Sequence, residues 1–228
     1  MAFTQGLFKT SVTRKNFMAV TGLFIAFFLV IHLAGNLVLI LPDSFFPIEF
    51  WGNVANQHDM YNAYSHFLVH FWPITLVAWI LYAAIAIHVI DALLITLANS
   101  KAKGDKYEVT DNSTSSWNSR NMGLLGVALL AFIIMHMVQF WWQYKVTGAR
   151  HDLYELVQET FKVWWMVVLY EIGIIALGLH LAHGIEAAHR SLGFYPTKIM
   201  RAMKYIALCF AIGITVLYGL IPIIMYFQ

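Results

Sequence analysis

An all-α fold of five membrane-spanning helices is predicted by three features of this sequence. Hydrophobic residues fill 60% and charged residues 11% of the 228 positions, whereas a soluble domain carries about 25% charged residues. Water therefore does not cover most of the exterior. Five largely apolar runs are each long enough for a helix to cross a hydrocarbon core of about 30 Å. Lysine and arginine, finally, gather in alternate connections between those runs. Backbone groups in hydrocarbon must be satisfied inside a helix or a closed barrel, and runs of about 20 residues are too long for barrel strands.

The first run, Asn16 to Leu41, follows Lys9, Arg14 and Lys15. No short apolar core with a small-residue cleavage site precedes it, so this helix is expected to be retained. The second run is Phe67 to Leu97, the third Asn121 to Trp142, the fourth Val163 to Ala188 and the fifth Tyr205 to Phe227. The whole chain, 1 to 228, reads as one membrane domain whose first four helices form a bundle. Lys101, Lys103, Lys106 and Arg120 lie between runs two and three, and Arg190, Lys198, Arg201 and Lys204 between four and five. With the N-terminal three, that is eleven of the fourteen cations on one side; only Lys145, Arg150 and Lys162 fall on the other. The positive-inside rule then predicts a cytoplasmic N-terminus and an external C-terminus.

Several functions are excluded or left without support. The single cysteine, Cys209, allows no internal disulfide, no thiolate metal cage and no C-x-x-C-H haem attachment. No basic patch with interleaved aromatics suggests nucleic acid. The connection from Asn99 to Arg120 is Ser/Thr/Asn-rich without periodicity, and that from Pro42 to His66 carries two prolines and several aromatics expected at the membrane interface. No Gly-rich phosphate loop is present, so chemistry must reside in the bundle or in a partner. The tryptophans of WWQY and VWW cluster at span ends, where aromatic belts anchor helices.

Ionisable side chains at membrane depth are functional candidates by default. Five are histidines: His32 in the first run, His88 in the second, His136 in the third, and His180 with His183 in the fourth. The first and third runs point outward and the second and fourth inward, so His32 and His136 share the outer half and His88 and His180 the inner half. The two levels should lie roughly 12 to 20 Å apart along the normal. Zinc takes four ligands, or three and a water, and no carboxylate or thiolate accompanies these imidazoles at suitable spacing. A haem iron needs only two axial ligands, and helical bundles hold such groups between facing helices. Two bis-histidine haems therefore fit the pattern. Gly35, Gly173, Gly178 and Gly184 would allow close approach of a flat macrocycle, or equally ordinary close packing of helices. His180 and His183 share a helix face, and periodicity does not choose between them.

The stretches VIHLAGNLVLI (30 to 40), MYNAYSHFL (60 to 68), SRNMGLLGVALLAFIIMH (119 to 136) and GLHLAHGIEAAHRSLG (178 to 193) resemble the membrane cytochrome b subunit of succinate dehydrogenase and fumarate reductase, of the five-helix, two-haem type. The resemblance covers the first four helices and rests on the order and spacing of the histidines. It implies two haem b groups, the outer held by His32 and His136 and the inner by His88 and His180. His180 is preferred to His183 because His180, Gly184 and Gly193 match the fourth-helix pattern of that family. It also implies an FAD flavoprotein subunit and an iron-sulfur subunit on the cytoplasmic side, menaquinone or another quinone as membrane substrate, and the inner membrane of a bacterium. Association of two such complexes is left open.

Other residues are candidates for the haem or quinone surroundings. His183, Arg120 and Arg190 could meet haem propionates, and His189 could do so or lie at the interface. His66 and His70, expected to open the second helix on the outer side, could offer donors to a quinone head group beside the outer haem. Glu171, near the middle of the fourth helix, could move protons, whereas Asp91 lies close enough to a helix end to be interfacial. Gly178 stands where some relatives carry a membrane glutamate. Two other classes remain: the cytochrome b of a formate dehydrogenase, hydrogenase or nitrate reductase, and a haem-free transporter or di-iron membrane enzyme.

Overall fold

A computed structural model describes residues 11–42, 45, 56–102, 120–193 and 197–228. Among them the order is α1 (Ser11–Leu37) with a 3-10 turn (Val38–Ile40), α2 (Gln57–His70), α3 (Trp72–Ala102), α4 (Met122–His136) running into a π-helix (Met137–Val146), α5 (Leu153–Phe161), α6 (Trp164–Ser191) and α7 (Thr197–Phe227). Five of these, α1, α3, α4 with its π extension, α6 and α7, are long and apolar enough to cross a membrane. The chain is an all-α polytopic membrane protein.

Most helices outrun the apolar segments that announce them, because backbone hydrogen bonding continues into the interfacial region where polar side chains begin. Thus α1 starts at Ser11 rather than Asn16, α6 ends at Ser191 rather than Ala188, and α7 starts at Thr197 rather than Tyr205. Helix α3 reaches Ala102, inside the connection expected to begin at Asn99. Lys9 and residues 103 to 119, with Lys103 and Lys106, lie outside the described residues, as do most positions between Pro42 and Asn56.

The second span differs from expectation in kind. It does not begin at Phe67: residues 67 to 70 close α2, Phe71 is extended (φ −79°, ψ 106°), and α3 starts at Trp72. Pro73 is the cause. Having no N–H, it cannot bond the Val69 carbonyl four residues back, so a continuous helix would lose a rung. Lys145 Nζ instead donates to that oxygen at 2.9 Å.

Helices α2 and α5 pack together between span ends. Each begins at a polar cap: Asn56 Oδ1 accepts from Asp59 N at 2.9 Å, and Asp152 Oδ1 accepts from Glu155 N at 2.8 Å. Asn62 Oδ1 accepts from the backbone N–H groups of Leu153 and Tyr154 at 3.0 and 3.1 Å, satisfying donors in the first turn of α5. His58 Nε2 meets Asp152 Oδ2 at 2.6 Å. The hydrogen bond to Asp59, helped by Asp152, holds His58 above the usual imidazole value. Partial burial pushes the Asp152 carboxyl up, but hydrogen bonds from Glu155, Asn62 and His58 outweigh it and hold the group below its usual range.

Four spans form a square. Helix α1 packs on α3 and α6, and α4 packs on α6 and, least closely, on α3; α7 lies across α6 and α1. The diagonal partners, α1 with α4 and α3 with α6, barely meet. The best-buried apolar side chains come mainly from α6 and α7, among them Ile174, Leu181, Ala211, Ile214 and Ile221, joined by Leu33 of α1, Leu39 of the 3-10 turn and Val157 and Phe161 of α5. Leu76, Trp79 and Ile80 of α3 and Leu124 and Val127 of α4 are exposed, as suits a lipid-facing surface.

Candidate haem-ligand pairs

The rings of His32 and His136 face each other across one diagonal, with centroids 5.9 Å apart at 88°. Those of His88 and His180 face each other across the other diagonal, 6.3 Å apart at 66°. The pairs lie at two levels. Thr21 touches His88, and His32 follows eleven residues later on the same helix, which is about 16 Å at 1.5 Å per residue. On α6, Tyr170 touches His136 and His180 comes ten residues later, about 15 Å along.

A hydroxyl stands beside Nδ1 of one histidine in each pair. The Thr21 hydroxyl donates its only proton to a backbone carbonyl of its own helix, Phe17 O at 2.8 Å, and lies 3.2 Å from His88 Nδ1. With its proton on Phe17 O the hydroxyl can accept from Nδ1–H, an arrangement that leaves the His88 Nε2 lone pair free. Tyr170 repeats the arrangement: its hydroxyl donates to Gln139 Oε1 at 2.7 Å and lies 3.3 Å from His136 Nδ1. At His32 the neighbour is Asn36, whose Nδ2 lies 3.4 Å from both ring nitrogens. Asn36 Nδ2 donates to the His32 carbonyl at 2.7 Å, while His180 Nδ1 is buried without a hydrogen-bond partner.

These donors fit a haem iron. A metal–imidazole bond is about 2 Å, and the centre of a five-membered ring with bonds of about 1.3–1.4 Å lies about 1.1 Å behind the bonding nitrogen. Two axial imidazoles then have centroids about 6 Å apart, as both pairs do. No group of three or more His, Cys, Asp or Glu side chains able to hold a metal ion occurs among the described residues.

At three of the four glycines the structure bears out the second expectation, close packing between helices, and not the approach of a macrocycle. A Cβ at Gly35 would lie 2.6 Å from Tyr64, one at Gly173 2.3 Å from Phe132, and one at Gly178 2.0 Å from Thr215 Oγ1. All three positions admit a neighbouring side chain rather than a macrocycle. Gly184 has only Met122 Cε near it, at 3.7 Å, and Gly193 takes a positive φ of 83° just past the end of α6. Gly22 is the glycine beside a paired histidine, its missing Cβ 3.1 Å from His88 Cε1.

The remaining candidates are dispersed. His66 and His70 share no ring contact or hydrogen bond with His32 or His136; they stack on each other at 3.9 Å on the exposed side of α2. The opposite face of α2 meets that level instead, with Tyr61 donating to Asn36 Oδ1 at 3.1 Å. Glu171 faces Gly219 of α7, with Oε1 buried and unpartnered. Arg190 pairs with Glu186 at 3.5 Å, and His189 Nδ1 donates to Ile185 O at 2.8 Å. His183 and Asp91 are half-buried, and Arg120 is exposed. Sequence reading missed Thr21, Gln139 and Tyr170. Their signal was polarity within otherwise apolar runs, near one helical turn from a histidine in the case of Gln139.

The fold and site define an integral membrane protein of five spans with two imidazole pairs inside its bundle. No family model, curated protein or solved structure matches the chain.

Proposed function

We propose that this chain is the di-haem cytochrome b anchor of a succinate:quinone oxidoreductase, carrying electrons between an iron-sulfur subunit and membrane quinone. The observation that supports it most is the meeting of His32 with His136 and of His88 with His180 across the two diagonals of one helix square. Haem b, when bound, supplies a one-electron carrier at each level. The chain's own residues do the rest. Four imidazoles would hold the two groups through ring nitrogens, Thr21 and Tyr170 would orient two of them, and Phe28, Phe132 and Phe140 pack around the His32/His136 pair and keep water out. The cation distribution supports a cytoplasmic N-terminus, and a bacterial inner membrane goes with the proposed anchor role. In that orientation His88 and His180 lie nearer the flavoprotein and iron-sulfur partners.

Purification in mild detergent tests the reading. Two haem b per chain, bis-imidazole spectra and co-purifying flavoprotein and iron-sulfur subunits are expected. A colourless preparation, or one porphyrin per chain, overturns it.

Thr21→Val and Tyr170→Phe should each shift one haem potential. An imidazole that donates Nδ1–H is a more basic ligand and favours the oxidised metal. Removing the acceptor should make the potential of the haem on His88 (Thr21→Val) or on His136 (Tyr170→Phe) more positive, with haem content unchanged and Thr21→Ser restoring the original value. Redox titration of the two haem bands measures it; unmoved potentials would make both hydroxyls mere packing.

A further inference from the structure

Two of the three cations on the sparsely charged side, Lys145 and Arg150, line one cleft of about 430 Å³ with Tyr144, His66, His70 and His151. The positive-inside rule disfavours cations on that side, so their convergence needs a cause. The cleft lies where two spans end, one at Val146 and one at Trp72. It continues into a second depression of about 400 Å³ that shares His66 and His70 and is otherwise lined by Ala63, Phe67 and Phe71. The two phenyl rings stack at 5.1 Å and are 37% and 45% exposed. One half of the surface is cationic, and the other is apolar.

We propose that this cleft binds the phosphate headgroup of an anionic phospholipid, with the acyl chains lying over Phe67 and Phe71. Lys145 spends one N–H on the Val69 carbonyl and keeps two. Arg150 uses Nη2 on Glu159 and keeps the remaining guanidinium donors. Glu159 is the acidic group paired there, leaving Lys145 and the imidazoles to face an anion. Basic pockets at helix ends hold lipid headgroups through charge complementarity, with the apolar chain adding area that a free phosphate lacks.

The test uses the detergent-purified complex, delipidated and titrated with dioleoyl-phosphatidylglycerol, with bound lipid counted by native mass spectrometry. Dioleoyl-phosphatidylcholine and inorganic phosphate are run in parallel. The wild-type chain should retain phosphatidylglycerol in preference to phosphatidylcholine, and inorganic phosphate should not displace it. Lys145→Gln should weaken retention by about fivefold, and adding Arg150→Gln, whose guanidinium already pairs with Glu159, should weaken it further by a smaller factor. Glu159→Gln should strengthen it, a change that misfolding cannot mimic. Equal retention by wild type and double variant, equal retention of phosphatidylcholine, displacement by phosphate alone, or displacement by a short-chain quinone would each overturn the proposal.

Discussion

Alanine at His88 or at His180 should yield protein with one haem b in place of two, and the same haem should be lost in both variants. Alanine at His32 or His136 should remove the other. The members of each pair stand 6.3 and 5.9 Å apart between ring centroids, so each iron would draw its two axial nitrogens from diagonal helices, and truncating either histidine leaves its partner to hold the group alone. The levels are about 15 Å apart by helical rise, far enough for the two losses to be independent. Pyridine haemochrome content and redox difference spectra measure the result. Depletion of one and the same haem by His88→Ala and His136→Ala would destroy the pairing.

Gly173→Ala should have the next largest effect. A methyl group there would sit 2.3 Å from Phe132 Cδ2 and 2.6 Å from Cγ. The ring cannot easily retreat, because it packs at 5.2 Å from Tyr170 and 6.2 Å from His136. Overpacking of this kind costs about 1–3 kcal/mol. The strain passes to the His32/His136 level, so thermal unfolding in detergent should fall and the haem on that pair should bleach before the one on His88 and His180. Unchanged melting with both haem bands intact would show that α4 and α6 simply move apart.

The five spans and both histidine pairs were legible because they depend on quantities a sequence displays directly. Length and apolarity predict a span, and helical rise converts residue number into depth, so residue numbers alone set His32 and His136, and likewise His88 and His180, at shared levels. What escaped reading depends on hydrogen bonding and on neighbours from other helices. Hydropathy runs smoothly through Phe71 and Pro73, yet the missing N–H of Pro73 ends one helix and begins another. Helices α2 and α5 are too short and polar to stand out by hydropathy, and their caps at Asn56 and Asp152 are seen only in the structure. Glycine in an apolar run signals that something comes close without saying what, and at Gly35, Gly173 and Gly178 it is a side chain. Thr21 and Tyr170 acquire meaning only through the placement of their hydroxyls beside His88 and His136, which no spacing along the chain displays.

The sparse contact between α1 and α4, and between α3 and α6, ties the proposed cofactor to the lifetime of the polypeptide. With little direct packing across either diagonal, occupancy would supply much of the cohesion there. A ligand present at a hundred times its Kd stabilises the folded state by about 2.7 kcal/mol, a sizeable share of an ordinary protein's margin of about 5–15 kcal/mol. Cells starved of porphyrin should therefore degrade this polypeptide faster than porphyrin-replete cells, which immunoblots of membranes from a biosynthesis-limited culture would register directly.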